Sequence, residues 1–172
     1  MMHTLNRIYG EAKNPFNPER TTGGSSGGDA GLVASRCMPF SIGTDIGGSI
    51  RGPSGFCSIY GFKPTPTRVS YKGSILPFGD GTCPQTRILP VCGPIAASVD
   101  DIALAFQALT NEESFKLDHD VAPIPFNSEV YASTLTKKLR VGYFDETVRF
   151  GTSSSVKRAI KITKDALEAK GH

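Results

Sequence analysis

Two stretches of this chain, Gly23-Gly24-Ser25-Ser26-Gly27-Gly28 and Gly43-Thr44-Asp45-Ile46-Gly47-Gly48-Ser49-Ile50-Arg51, set small hydroxyl groups among glycines. Serine supplies an oxygen nucleophile. Glycine tolerates positive φ and lets backbone N–H groups crowd close to a reacting atom. Two such loops brought together would make a site for acyl transfer, with one hydroxyl attacking a carbonyl and N–H groups holding the oxyanion.

A serine hydroxyl at its free pKa is a weak nucleophile and needs a neighbouring base. The chain has three histidines: His3 in a polar leader, His119 in the charged run Leu117-Asp118-His119-Asp120, and His172 at the last position. None falls on an expected rigid element, which counts against a Ser–His–Asp arrangement. The flanks Gly47-Gly48-Ser49-Ile50-Arg51 also miss the G-x-S-x-G elbow. A serine–serine–lysine relay is the other route, in which the middle hydroxyl passes the proton to a neutral, desolvated lysine. Ile46, Gly47, Gly48 and Ser49 would then offer N–H groups to one oxyanion, each donor worth roughly 3 kcal/mol. Plainer readings stand beside these. Gly23 to Gly28 alone could be a flexible linker, and a phosphate loop would need a Lys-[Ser/Thr] pair that is absent. Arg51 could be a surface charge, Asp45 a turn residue and Lys63 a solvated side chain.

At 172 residues the chain can bury a core, and 19 glycines with 12 prolines make it loop-rich yet globular. The net charge of +3, spread over scattered Lys and Arg, gives no reason to expect a nucleic-acid partner. Cys37, Cys57, Cys83 and Cys92 lack metal-ligand spacing and read as buried small apolar residues in a reducing compartment. No apolar run approaches the ~18 residues of a membrane span, and Met1 to Arg7 has no apolar core of a signal peptide.

Several elements must position the serines. Residues 1–22 show turns and no helical period. A short small-residue helix over Asp29 to Arg36 would point its N-terminus at the preceding serines. Met38 to Gly43 alternates as a short buried strand would. Ile59 to Ser70 reads as turn-rich pieces flanking a core edge, and 72–93 as irregular. Ser98 caps a helix with Asp101 at its third position, placing Val99, Ile102, Ala103, Phe106 and Leu109 on one face. Residues 110–138 form a long irregular connection. Leu139 to Phe144 reads as a strand. A helix from about Ser155 to Lys170 follows, capped by Ser153 or Ser154, with Val156, Ala159, Ile160, Thr163 and Leu167 on one face and Gly171 at its stop. Helices alternating with strands imply an α/β protein. A strand and helix at the end call for a further strand, so the chain reads as cut there.

The two serine loops, extended through Gly52-Pro53, resemble the signature of the amidase signature family. Gly61-Phe62-Lys63-Pro64-Thr65 and Gly93-Pro94-Ile95-Ala96-Ala97-Ser98-Val99-Asp100-Asp101 are similar to its next landmarks. The match runs from about Asn14 to the C-terminus. The resemblance implies an α/β fold with a mixed, twisted central sheet flanked by helices on both faces. It reads residues 1–172 as a fragment of a single amidase domain, truncated at both ends. It makes Ser49 the acylated nucleophile, and Ser25 the proton relay beside a cis peptide. Ile46, Gly47, Gly48 and Ser49 become the oxyanion donors, with Ser26, Asp45 and Arg51 as supports that fix the loops. No metal or cofactor is implied. The family's base is a lysine well before the glycine-serine loop. Lys13 is the only lysine before Ser25, and Glu11-Ala12-Lys13-Asn14-Pro15 does not look like the family's lysine motif. The lysine is therefore expected outside this chain, and the fragment alone to be inactive.

Among branches, Gly52 before Pro53 and Gly79 to Gln85 in place of a compact Ser-Ser-Leu-Asp-Gln depart from subunits delivering ammonia to misacylated tRNA. Phe115 to Asp118, Val121 to Phe126, Glu129-Val130-Tyr131 and Leu139 to Phe144 are similar to animal fatty acid amide hydrolases. That branch implies a small-molecule fatty acid amide substrate, such as an N-acylethanolamine or a primary fatty amide. It also implies peripheral contact with the cytoplasmic side of internal membranes, and a homodimer. The alternatives are a non-catalytic or truncated amidase-like module, and an amidotransferase-type subunit acting on glutamine.

Overall fold

The structure is a computed structural model and describes residues 2–74, 88–146 and 150–172. Its strands are β1 (Leu5–Asn6), β2 (Gly10–Glu11), β3 (Lys13–Asn14), β4 (Asn17–Thr21), β5 (Phe40–Asp45), β6 (Tyr60–Gly61) and β7 (Val91–Ala96). Its helices are α1 (Gly27–Ala34), α2 (Arg51–Phe56), α3 (Val99–Leu109), α4 (Glu112–Leu117), α5 (Ser128–Ser133) and α6 (Ser154–Ala169). The chain divides into two compact units, Met1–Phe126 and Asn127–His172.

In the first unit, β7 lies between β5 and β6 and pairs antiparallel with both, Gly43 opposite Gly93 and Gly61 opposite Ile95. Alternate residues of β7 face opposite sides of the sheet. Ile95 joins Val33 of α1 and Ile50 in one apolar cluster, while Cys92 joins Phe106 of α3 and Val69 in another. Helices therefore cover both faces, as an α/β fold requires. Phe106 also stands edge-on to the rings of Phe62 and Phe126, at centroid distances of 5.1 and 6.3 Å. Such a geometry places the positive rim of one ring on the negative face of the other.

The strand expected over 38–43 forms at Phe40–Asp45 and inverts the expected faces. Ser41, Gly43 and Asp45 are buried, whereas Phe40 and Ile42 are exposed. Small and hydrogen-bonded side chains are what the close approach of α1, with its buried Gly27, Ala30 and Ala34, can accept. The stretch 72–93 is not irregular throughout, because Val91 to Gly93 already belong to β7, which is buried along its whole length. Residues 1–22, without helical period, form two short antiparallel pairs, β1 with β2 and β3 with β4.

On α3, Ser98 Oγ accepts from Asp101 N–H at 3.1 Å, the expected N-cap bond, and donates to Asp101 Oδ2 at 2.7 Å. Ile102 and Phe106 are buried as the period demands. Val99, however, is exposed and Ala105 is buried instead. Ser98→Ala removes the acceptor for an orphan N–H and is expected to cost about 1 kcal/mol. Urea unfolding with an unchanged slope would register it as a lower midpoint.

The 110–138 connection carries the two short helices α4 and α5, each capped by an asparagine, Asn111 and Asn127. In the second unit, Leu139 to Phe144 is not a strand. A strand needs a hydrogen-bonded neighbour, and none pairs with it among the described residues. It runs instead beside α6. Val141 to Phe144 and four residues of the expected helix face, Ala159, Ile160, Thr163 and Leu167, line a groove of about 470 Å³, whereas the fifth, Val156, is exposed. Gly171 ends that helix with φ of +80°.

Cys57 and Cys92 are buried, but Cys37 is exposed just beyond α1, and Cys83 lies outside the described residues. Burial pushes the thiols of Cys57 and Cys92 above their ordinary value, and a buried thiol is shielded as well as protonated. Brief treatment with a maleimide at neutral pH is expected to modify Cys37 and spare Cys57 and Cys92 until the protein is unfolded. Peptide mass spectrometry reads the order directly. Fast modification of Cys57 would contradict its place in the core.

Candidate active site

The first serine loop fills the gap between β4 and α1, and the second between β5 and α2. Val33 of α1 and Ile50 at the start of α2 pack together on Ile95 of the sheet, which brings the two loops into the same neighbourhood. Ser26 N–H donates to Ser49 carbonyl O at 3.1 Å, which ties the loops to each other directly. Ser26 Oγ meets Thr44 twice, accepting from its N–H at 3.2 Å and donating to its carbonyl at 3.3 Å. Ser26 is buried, Ser49 half-buried and Ser25 exposed, so the two candidate reacting hydroxyls are the more open ones. The Gly24–Ser25 peptide is cis.

Asp45 organises the second loop from below. Its carboxylate accepts from Gly48 N–H at 2.7 Å, Ile50 N–H at 3.0 Å and Arg51 N–H at 3.4 Å. Arg51 also grips it through Nε and Nη2, each at 3.1 Å, in a two-pronged pair. Burial pushes the Asp45 carboxyl up. The Arg51 guanidinium and the three N–H groups outweigh that and hold it at about 2, below its ordinary 3.8. Arg51 in turn is held above its usual value by Asp45. The plainer readings of Asp45 as a turn residue and Arg51 as a surface charge therefore give way to a structural pair that shapes the loop around Ser49.

That pairing engages one of the four N–H groups expected at the oxyanion, that of Gly48. Gly48 N–H points at Asp45, so it is committed below the loop rather than to a ligand above it. Its φ of +122° lies where only glycine sits without strain. The N–H groups of Ile46, Gly47 and Ser49 are left without a partner among the described residues, and Ile46 and Gly47 are exposed.

The described residues do not present a base at either serine. Lys13 Nζ pairs with Glu11, which also takes His3 Nε2 at 2.6 Å. Lys63 Nζ donates to Pro64 O at 3.3 Å, and His172 Nδ1 accepts from Leu139 N–H at 3.1 Å. One contact was not legible beforehand: Thr4 inserts its hydroxyl into the first serine loop, 2.9 Å from Gly23 O. A threonine in a polar leader carries no sequence signal of such a role.

The sequence profile of the family described as Amidase matches residues 1–172. The chain belongs to the amidase signature family. Relatives of this amidase chain include the vitamin D3 hydroxylase-associated protein of Gallus gallus, 45% identical over 167 residues, 97% of this chain and 35% of that protein. Fatty-acid amide hydrolase 1 of Sus scrofa is 44% identical over 170 residues, 97% of this chain and 28% of that protein. Among solved structures, a fatty acid amide hydrolase superposes with a TM-score of 0.79 at 29% identity, covering 98% of this chain and 29% of its own. The amidase chain thus spans about a third of the length of the relatives it matches. Its fold is part of the amidase signature fold, with helices over both faces of the sheet.

Proposed function

We propose that this chain carries the nucleophile half of an amidase that cleaves fatty acid amides. The observation that carries it is the Ser26–Ser49 hydrogen bond at 3.1 Å, which ties both serine loops together, with three N–H groups of the second loop unengaged among the described residues. Ser49 Oγ attacks the amide carbonyl carbon, and the oxygen gains charge opposite the N–H groups of Ile46, Gly47 and Ser49. The Ser49 proton passes through Ser25 to a base. The base is proposed to be a lysine supplied by chain outside these 172 residues. The same path then returns a proton to the amine nitrogen as the C–N bond breaks, leaving an ester on Ser49. Water adds to that ester and releases the carboxylic acid. Ser26, Asp45 and Arg51 take no part in these bonds and hold the loops in register.

The fatty acyl preference is supported by the similarity to the pig hydrolase and by the resemblance of 115–131 and 139–144 to that branch. Peripheral contact with internal membranes and a homodimer complete the proposal on the same resemblance. Among the described residues, no helix is long and apolar enough to cross a membrane.

A panel assay on the complete protein tests the substrate class. A long-chain N-acylethanolamine and a primary fatty amide are expected to exceed acetamide and glutamine in kcat/KM by about 10²-fold or more, since each buried methylene contributes ~0.8 kcal/mol. Equal or better turnover of acetamide or glutamine would remove the fatty amide reading while leaving the amidase chemistry standing.

A further inference from the structure

The turn that carries Ser25 is held by a side chain from outside both serine loops. Thr4 Oγ1 lies 2.9 Å from Gly23 O and 3.2 Å from Ser25 O, and it accepts from Gly27 N–H at 3.1 Å. A hydroxyl has one proton and two lone pairs, so it donates to one of the two carbonyls at a time while accepting from Gly27. One side chain thereby links backbone groups on both sides of Ser25.

The need for this contact follows from α1. The first N–H groups of a helix have no partner inside it, and the residue before the helix ordinarily supplies one through its side chain. Here that residue is Ser26, and its hydroxyl makes no such cap because it is engaged with Thr44. Thr4 takes over the task at Gly27. Only glycine leaves room for it, since a Cβ at position 27 would stand 2.4 Å from Thr4 Oγ1.

We propose that Thr4 is a positioning residue for the proton relay, its hydroxyl fixing the backbone turn that carries Ser25, the residue read as passing the proton from Ser49. The proposal rests on the reading of Ser25 as the relay. Ser25 is exposed, so packing does not hold its side chain, and the two glycines before it resist little. Its backbone is anchored by Thr4 on one side and by the Ser26–Ser49 hydrogen bond on the other. Proton transfer through a hydroxyl depends on hydrogen-bond reach, and a misplacement of about 1 Å can cost on the order of 10²-fold in rate.

The test uses Thr4→Val, which keeps the shape and removes the hydrogen bonds, in the complete protein with an N-acylethanolamine. The expected result is a fall of about 10- to 100-fold in kcat and in the rate of fluorophosphonate labelling at Ser49, with KM within about twofold. Thr4→Ser is expected to recover to within about threefold. Because Thr4 acts through Ser25, Thr4→Val should cost nothing further in a Ser25→Ala background. A lowered Tm with unchanged kcat per folded molecule would make Thr4 a stability residue only and overturn the proposal. So would an equal additional loss in the Ser25→Ala background, or failure of Thr4→Ser to recover. If Thr4→Val does not fold, Thr4→Ser and Thr4→Ala against Ser25→Ala decide it by the same comparison. An unimpaired Ser25→Ala enzyme would instead overturn the relay reading itself, whatever Thr4 does.

Discussion

Ser49→Ala in the complete protein is expected to lower amide hydrolysis by about 10⁴-fold or more and to abolish labelling by a fluorophosphonate. The size follows from chemistry rather than packing. Without Oγ no acyl ester can form, and the remaining N–H groups can only polarise a carbonyl for attack by unactivated water. The fold should survive the change, because the Ser49 contact that ties the loops is made by its backbone carbonyl, accepting from Ser26 N–H at 3.1 Å. Equal Tm with lost turnover is therefore the expected pair of results. Undiminished labelling of the alanine variant would place the nucleophile elsewhere.

Asp45→Asn should strike both stability and turnover, because the carboxylate accepts from three backbone N–H groups and from two nitrogens of the Arg51 guanidinium. An amide has one acceptor oxygen and two donor hydrogens, so its NH2 would face the Arg51 guanidinium or the loop N–H groups. Breaking a buried pair on one side is strongly destabilising. Arg51 is half exposed and can partly rehydrate, so we expect a loss of about 2–3 kcal/mol in urea unfolding. Turnover should fall by about 10²-fold as Gly48 and Ile50 lose the anchor that sets the Ser49 turn. The same carboxylate gives a pH signature. Its folded pKa, about 2, lies below the ordinary 3.8. Its contribution is therefore full above about pH 4 and is lost as pH falls toward 2, worth on the order of 2 kcal/mol. The Asn variant should lack that part of the acid sensitivity between pH 4 and 2. An Asn variant as stable and as acid-sensitive as the parent would remove Asp45 from the scaffold role.

Local patterns were legible where the chain carries its own partners. Ser98 and Asp101 lie three residues apart and cap α3 as read, and the Ile102–Phe106 spacing buries itself by helical period alone. Reading failed where the partner is distant. Leu139 to Phe144 has strand composition but no strand beside it among the described residues. Phe40 and Ile42 follow an alternation whose face is set by what packs on the sheet, and α1 comes close enough there to favour Ser41, Gly43 and Asp45. Cys37 reads like Cys57, yet it falls just past a helix end instead of inside the core.

The sequence by itself determined the chemistry on offer. Ser25 and Ser49 sit in glycine loops with N–H groups at hand, because residue type and near-neighbour spacing are properties of the chain before it folds. Only the tertiary structure decided how those groups are shared out. Gly48 N–H goes to Asp45, Ser26 joins the loops and leaves α1 without its side-chain cap, and Thr4 crosses from the leader to Gly27 N–H. Hydrogen bonds are short-ranged, and each N–H carries a single proton to give. Which donor meets which acceptor is therefore settled by the path of the backbone in space, and a list of residues cannot contain it.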